Sequence, residues 1–124
     1  MKRVKSSKFN LFRNLINSIN GFIEVTKNET PMKAELLLFA AGTILLLLLP
    51  MPFAYRAVLF VSLFFPILGE LINSAIERTV DLVTLEYHDL AKAAKDAASA
   101  VVLVSLALTG VIWAVVLYLV YIGG

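Results

Sequence analysis

Residues 97–122 carry no charged side chain, and neither do residues 36–55. A bilayer hydrocarbon core of ~30 Å is crossed by about 20 apolar residues in an α-helix. Both runs are long enough. A third run, Ala57 to Gly69, is uncharged for thirteen residues and continues to about Val83 as a segment rich in acids. The expected fold is an all-α membrane protein with spans at about residues 31–50, 57–83 and 97–122. A chain of 124 residues with 60% hydrophobic content makes one such domain.

Several classes are excluded early. The chain has no cysteine, so disulfides and cysteine zinc sites are out. The basic residues sit at the head of a membrane-type chain without aromatic interleaving, so no nucleic-acid partner is expected. The N-terminus does not read as a cleavable signal, because no small-residue cleavage site follows a compact apolar core.

Topology follows from Lys and Arg. Seven lie in residues 1–33, three in residues 78–95 and none after Lys95. Arg56 alone falls at the Pro50-Met51-Pro52 connection. Positive residues stay on the cytoplasmic side. The N-terminus and the 78–96 loop are therefore expected inside, with the proline-containing turn and the C-terminus outside. Residues 1–29 form an interfacial region. Within it Phe9, Phe12, Leu15, Ile16, Ile19, Phe22 and Ile23 recur at helical spacing over 9–25, as in a surface helix. Thr30-Pro31 reads as an N-cap followed by proline at the first helical position. Glu29 sits just before it.

The acids after Gly69 are not scattered. At 100° per residue, with Glu70 at zero, Asn73 falls at about −60°, Glu77 at about −20°, Asp81 at about +20° and Ser74 at about +40°. Leu71, Ile72, Ala75, Ile76, Val80 and Val83 cover the other side. The stripe starts at membrane depth, where a carboxylate is costly and a functional candidate by default. For Asp81 and Glu86 a solvated helix face explains as much. Clustered acids repel, and Mg²⁺ with its oxygen ligands would offset that. Pro66 should bend this helix. Lys95 and Asp96 are expected to open the third span; a lysine there points either to a nearby anion or to snorkelling. His88 reads as an exposed loop residue and Trp113 as span packing. No GxxxxGK[ST], GxGxxG or GxSxG occurs, so a P-loop or kinase-fold nucleotide site is unsupported. Carboxylates, a lysine and a membrane-edge acid still suit phosphoryl transfer, which is mainly positioning and charge neutralisation.

Glu70-Leu-Ile-Asn73-Ser-Ala-Ile-Glu77, Val80-Asp81, Glu86-Tyr87-His88 and Ala94-Lys95-Asp96 together resemble the small bacterial integral-membrane diacylglycerol and undecaprenol kinases. The resemblance covers nearly the whole chain. It implies a homotrimeric bundle in the bacterial inner membrane, with ATP as co-substrate and Mg²⁺ as cofactor. It implies that Glu70 is the general base toward the lipid hydroxyl and that Glu29 and Glu77 hold the metal and ATP. By the same resemblance Glu86, Tyr87, His88, Lys95 and Asp96 bind nucleotide, Asn73 and Asp81 support the site, and Ser99 and Trp113 lie near the lipid. Asn10 and Asn17 stand where these kinases usually have an arginine and a tyrosine contacting ATP or lipid; Arg13 is one turn beyond Asn10. The Asn28-Glu29 and Glu35 segment and the Asn-Ser-Ala-Ile-Glu spelling favour diacylglycerol over a polyprenol acceptor. Two non-enzyme readings stand beside these: a small proton-translocating subunit, and a structural subunit whose acids pair with Arg78 or Lys92.

Overall fold

The computed structural model describes residues 9–123. The described residues form five α-helices and no strand: α1 Leu11–Asn28, α2 Thr30–Leu48, α3 Phe53–Ser62, α4 Phe64–Val83 and α5 Asp89–Tyr121. Three stretches are long and apolar enough to cross a membrane: Thr30–Leu48, Phe53–Val83 and Asp89–Tyr121.

α1 starts where Asn10 caps it. The Asn10 side-chain oxygen accepts from the Arg13 N–H at 3.1 Å, satisfying one of the amides a helix start leaves unpaired. The helix runs three residues beyond the expected 25. It ends because Glu29 turns to extended backbone (φ −113°, ψ 112°), and α2 begins at the next residue. Glu29, not Thr30, is thus the cap of α2, and Pro31 sits in its first turn.

The far end of α2 explains Arg56. Its guanidinium donates to the carbonyl of Leu46, to that of Leu49 at 3.1 Å and to that of Met51 at 3.4 Å. The last carbonyls of a helix lack intrahelical partners and attract a cation. The one basic residue on the expected outer side therefore has a local structural role. Tyr121 closes the same end by donating to the Pro50 carbonyl at 2.7 Å.

The second span carries the distortion expected from Pro66 as a local break between α3 and α4 at Leu63, which itself keeps helical angles (φ −68°, ψ −16°). It starts at Phe53, four residues before the expected position, and breaks at Leu63, whose N–H closes a tighter turn onto the Phe60 carbonyl at 3.1 Å. Pro66 is the cause. It has no N–H to offer the Ser62 carbonyl, and its ring crowds that group. α5 supplies what proline withholds: the Thr109 hydroxyl donates to the Ser62 carbonyl at 2.8 Å. The Trp113 indole donates to the Ser62 hydroxyl at 2.9 Å, and that hydroxyl donates to the Leu59 carbonyl at 2.6 Å.

α5 begins at Asp89, eight residues before the expected span, with the His88 ring nitrogen accepting from the Leu90 N–H at 3.1 Å. Lys95 and Asp96 therefore lie in its second turn rather than opening it, and the dipole argument about Lys95 loses its premise. Gly69 permits the close approach of α4 to α5: a Cβ there would stand 2.6 Å from the Ser105 hydroxyl. Leu46, Leu59, Leu63 and Val116 pack one end of the bundle, and Val25, Met32 and Ile67 the other. Between them Phe39, Phe60 and Phe64 meet edge to face, with centroids 4.9–5.6 Å apart. Large apolar side chains elsewhere on the spans, such as Leu47, Leu103 and Val111, stay exposed.

Candidate active site

The polar stripe of α4 points into the protein and its apolar side points out. Glu70 is 3% exposed, Asn73 9% and Ser74 0%, whereas Ile72 and Val83 are exposed. Burial fades along the stripe: Glu77 is half-buried and Asp81 is exposed. The Asn73 amide donates to a Glu77 oxygen at 3.4 Å. Its own carbonyl oxygen and the Ser74 hydroxyl are buried without partners. Unpartnered buried polar atoms are rare in folded proteins and call for an explanation.

Other elements bring more acids to this place. Glu29 from the α1–α2 joint, Glu35 from α2 and Glu77 from α4 all lie within electrostatic reach of Glu70. Glu35 was not among the site residues read from the sequence; it follows Glu29 by six residues, and only the packing of α2 on α4 reveals where it points. Arg78 meets one of these acids, Glu29. It forms ion pairs with Glu24 and, at 3.1 Å, with Glu29. The Arg78 guanidinium beside Glu24 holds that carboxyl below the usual carboxylate range. Among the described residues no three acidic or histidine side chains are placed as a ready metal cage.

A second feature lies at the open end of α4 and α5. A groove of about 460 Å³ is lined by Val80, Thr84, Glu86, Tyr87, His88, Lys92, Lys95 and Asp96, among others. Of the nine residues expected at ATP from the resemblance, Glu86, Tyr87, His88, Lys95 and Asp96 line this groove, whereas Glu29, Glu77, Asn10 and Asn17 do not. Lys95 bridges to Asp81 on α4 at 2.6 Å, and Lys92 pairs with Asp96 at 2.6 Å. Tyr87 donates to Asp89 at 2.9 Å.

The prokaryotic diacylglycerol kinase family matches residues 16–117. The chain belongs to the prokaryotic diacylglycerol kinase family. It is similar to a diacylglycerol kinase of Pseudomonas aeruginosa, with 37% identity over 100 residues covering 81% of each chain. It is also similar to one of Helicobacter pylori, 35% identical over 83% of this chain and 80% of that one. One of Escherichia coli is 31% identical over 84% of this chain and 97% of that one. The chain is therefore an enzyme of a lipid kinase family, and a membrane protein.

Four of the expected site residues of this kinase lie apart from the acids. Asn10 is exposed, spent on its helix cap, and outside the residues the family matches. Asn17 is exposed on α1. Trp113 stands two turns, about 12 Å, beyond the Ser105 level at which α5 meets Gly69; it lines an apolar groove of about 390 Å³ with Leu38, Gly42, Leu63 and Thr109. Ser99 is exposed on α5, one turn past Lys95.

Proposed function

We propose that this kinase transfers the γ-phosphoryl group of ATP to the free hydroxyl of diacylglycerol, giving phosphatidic acid at the cytoplasmic face of the inner membrane. The observation that carries the reading is Glu70: a carboxylate buried in an apolar span, ringed by Glu29, Glu35 and Glu77 and on the same helix as the wall of the polar groove. The named relatives support diacylglycerol as the acceptor.

Glu70 accepts the proton of the lipid hydroxyl as its oxygen bonds to the γ-phosphorus. The bond from that phosphorus to the bridging oxygen of ATP breaks, and ADP leaves with the electron pair. Asn73, held on Glu77, fixes the edge of the site, and Lys95 neutralises charge on the polyphosphate. The residues fit a Mg²⁺ ion: the acids near Glu70 outnumber their cationic partners, and Mg²⁺ commonly takes only one or two carboxylates beside substrate phosphates. Glu29 and Glu77 would hold it, and it supplies charge neutralisation when bound.

In this reading α1 lies in the interface, with exposed Phe12, Leu15 and Ile19 in lipid. The α4–α5 loop faces the cytosol and the C-terminus lies outside. Exposed apolar faces on the spans fit a homotrimer in lipid. The test is phosphate transfer from labelled ATP in mixed micelles with Mg²⁺, offering diacylglycerol and undecaprenol side by side. Labelled phosphatidic acid as the main product supports the proposal. Preferential labelling of the polyprenol replaces the acceptor, and transfer to neither lipid by folded protein refutes the kinase chemistry.

A further inference from the structure

The mechanism above leaves Arg78 without a role, yet its geometry is specific. The residue lies about 80° round α4 from Glu70, and its guanidinium reaches two acids of another element. The two are not held alike. Both oxygens of Glu24 are engaged, one by Arg78 and the other by the Asn28 amide at 2.8 Å. Glu29 gives one oxygen to Arg78 at 3.1 Å, and its other oxygen takes part in no hydrogen bond among those of the described residues. Glu24 is thus a fixed anchor and Glu29 a shared ligand.

We infer that Arg78 is a positioning residue that, anchored on Glu24, holds Glu29 in place and competes with the divalent cation for its carboxylate. This rests on the reading of Glu29 as a metal carboxylate. A guanidinium does not lose its proton in proteins, so Glu29 is freed only by exchanging one cation for another. Glu24 makes that exchange tolerable, because Arg78 keeps a carboxylate partner after Glu29 turns to the metal. It also keeps α1 tied to α4 throughout the cycle.

The two ends of the tie make opposite predictions. Arg78→Gln and Glu24→Gln break the same contact between α1 and α4, and a merely structural role would move both in one direction. As a competitor, Arg78 weakens metal binding, so Arg78→Gln should tighten it. Glu24 partly neutralises the Arg78 charge that Glu29 meets, so Glu24→Gln should leave Arg78 a stronger competitor and weaken it. Each shift should stay within about fivefold, the range of an exposed ion pair.

The experiment is Mn²⁺ binding to the full-length protein in detergent micelles with a non-hydrolysable ATP analogue, read from the EPR signal of free Mn²⁺, so that turnover plays no part. The expected result is tighter binding in Arg78→Gln, weaker binding in Glu24→Gln, and near-unmodified binding in Arg78→Lys. Glu24→Gln should add nothing in the Arg78→Gln background. Unchanged or weaker binding in Arg78→Gln overturns the inference. So does an undiminished Glu24→Gln effect in that background, which would mean Glu24 acts through space and not through Arg78. Glu29→Gln separates the underlying reading: if it leaves Mn²⁺ affinity intact, Glu29 is no metal carboxylate and both claims fall. Loss of affinity there with no response at Arg78 removes the inference alone.

Discussion

Thr109→Val tests the joint that aims Glu70. Valine keeps the shape of threonine and removes the hydroxyl that donates to the Ser62 carbonyl. That carbonyl has no backbone donor because residue 66 is proline, so the substitution leaves it unpartnered in an apolar interior. A lost hydrogen bond with a buried group left unsatisfied costs about 1–3 kcal/mol in water-soluble proteins. Interhelical bonds in membranes average nearer 0.6 kcal/mol. About 1 kcal/mol is therefore expected. The double substitution decides the cause. Pro66→Ala restores an N–H four residues from Ser62, so Thr109→Val should cost markedly less in that background. Unfolding by denaturing detergent can follow Trp113, the single tryptophan of the chain, which itself hydrogen-bonds Ser62. Its emission reports directly on the joint. Equal costs of Thr109→Val in both backgrounds would falsify the account of the break. Glu70 lies one turn beyond Pro66, so Pro66→Ala should also lower turnover even where it leaves the protein folded.

Three further outcomes are expected. Glu70→Gln should lower kcat by about 10²–10⁴-fold, the usual worth of a positioned base, with unfolding by denaturing detergent unchanged; undiminished turnover removes Glu70 from catalysis. Lys95→Met should raise the KM for ATP more than that for lipid in steady-state assays, because the groove serves ATP and buried Glu70 serves the lipid hydroxyl; an equal rise in both contradicts that division. The tie between Glu24 and Arg78 should respond to acid. The Glu24 carboxyl is lowered by its bond to Arg78, so the stabilisation is complete above the ordinary carboxylate value of about 4.3 and is lost as pH falls through the lower folded value. A nitroxide on Asn17→Cys, clean because the chain has no other cysteine, should become more mobile only below that range, and mobility flat with pH would show that the tie does not hold α1.

The spans and the stripe were legible because both depend on periodicity along one helix. Glu70, Asn73 and Glu77 share a face of α4 whatever surrounds it. Boundaries were less legible. The proline signalled a distortion of the second span, but the break fell at Leu63, because the crowded carbonyl belongs to the residue four before Pro66 and the helix yields there. α5 started earlier than expected because hydropathy marks where lipid begins, while His88 and Asp89 mark where the helix begins. Glu24 carried no site signal in the sequence, Arg78 read only as a pairing partner for the acids, and Glu35 only as part of the segment bearing on the acceptor. Their significance lies in contacts between α1, α2 and α4, which no single-helix pattern encodes. Arg56 was read as a topology residue, yet it is also a cap, and the capping follows from carbonyls ten or fewer positions away.

The lengths of the helices explain how one small chain serves a lipid and a polyphosphate. The second span takes 31 residues and α5 takes 33, where about 20 cross the hydrocarbon. In the proposed orientation the surplus, roughly ten residues each or ~15 Å of rise, leaves the membrane at the end carrying the acids. Two projecting helices would fray without a clasp, and the Lys95–Asp81 bridge joins them while forming part of the groove wall. Glu70 lies below that clasp, next to Gly69, where α4 packs against Ser105 of α5 with no room for a Cβ. The acid that an amphiphile's hydroxyl can reach is thus built on the tightly packed part of the pair. The groove that suits a soluble polyanion is built on the overhang. Shortening both helices together by one turn above Val80 should therefore remove nucleotide affinity before it disturbs the buried carboxylate, since among the described residues the Asn73 and Glu77 side chains hydrogen-bond to each other and not to the overhang.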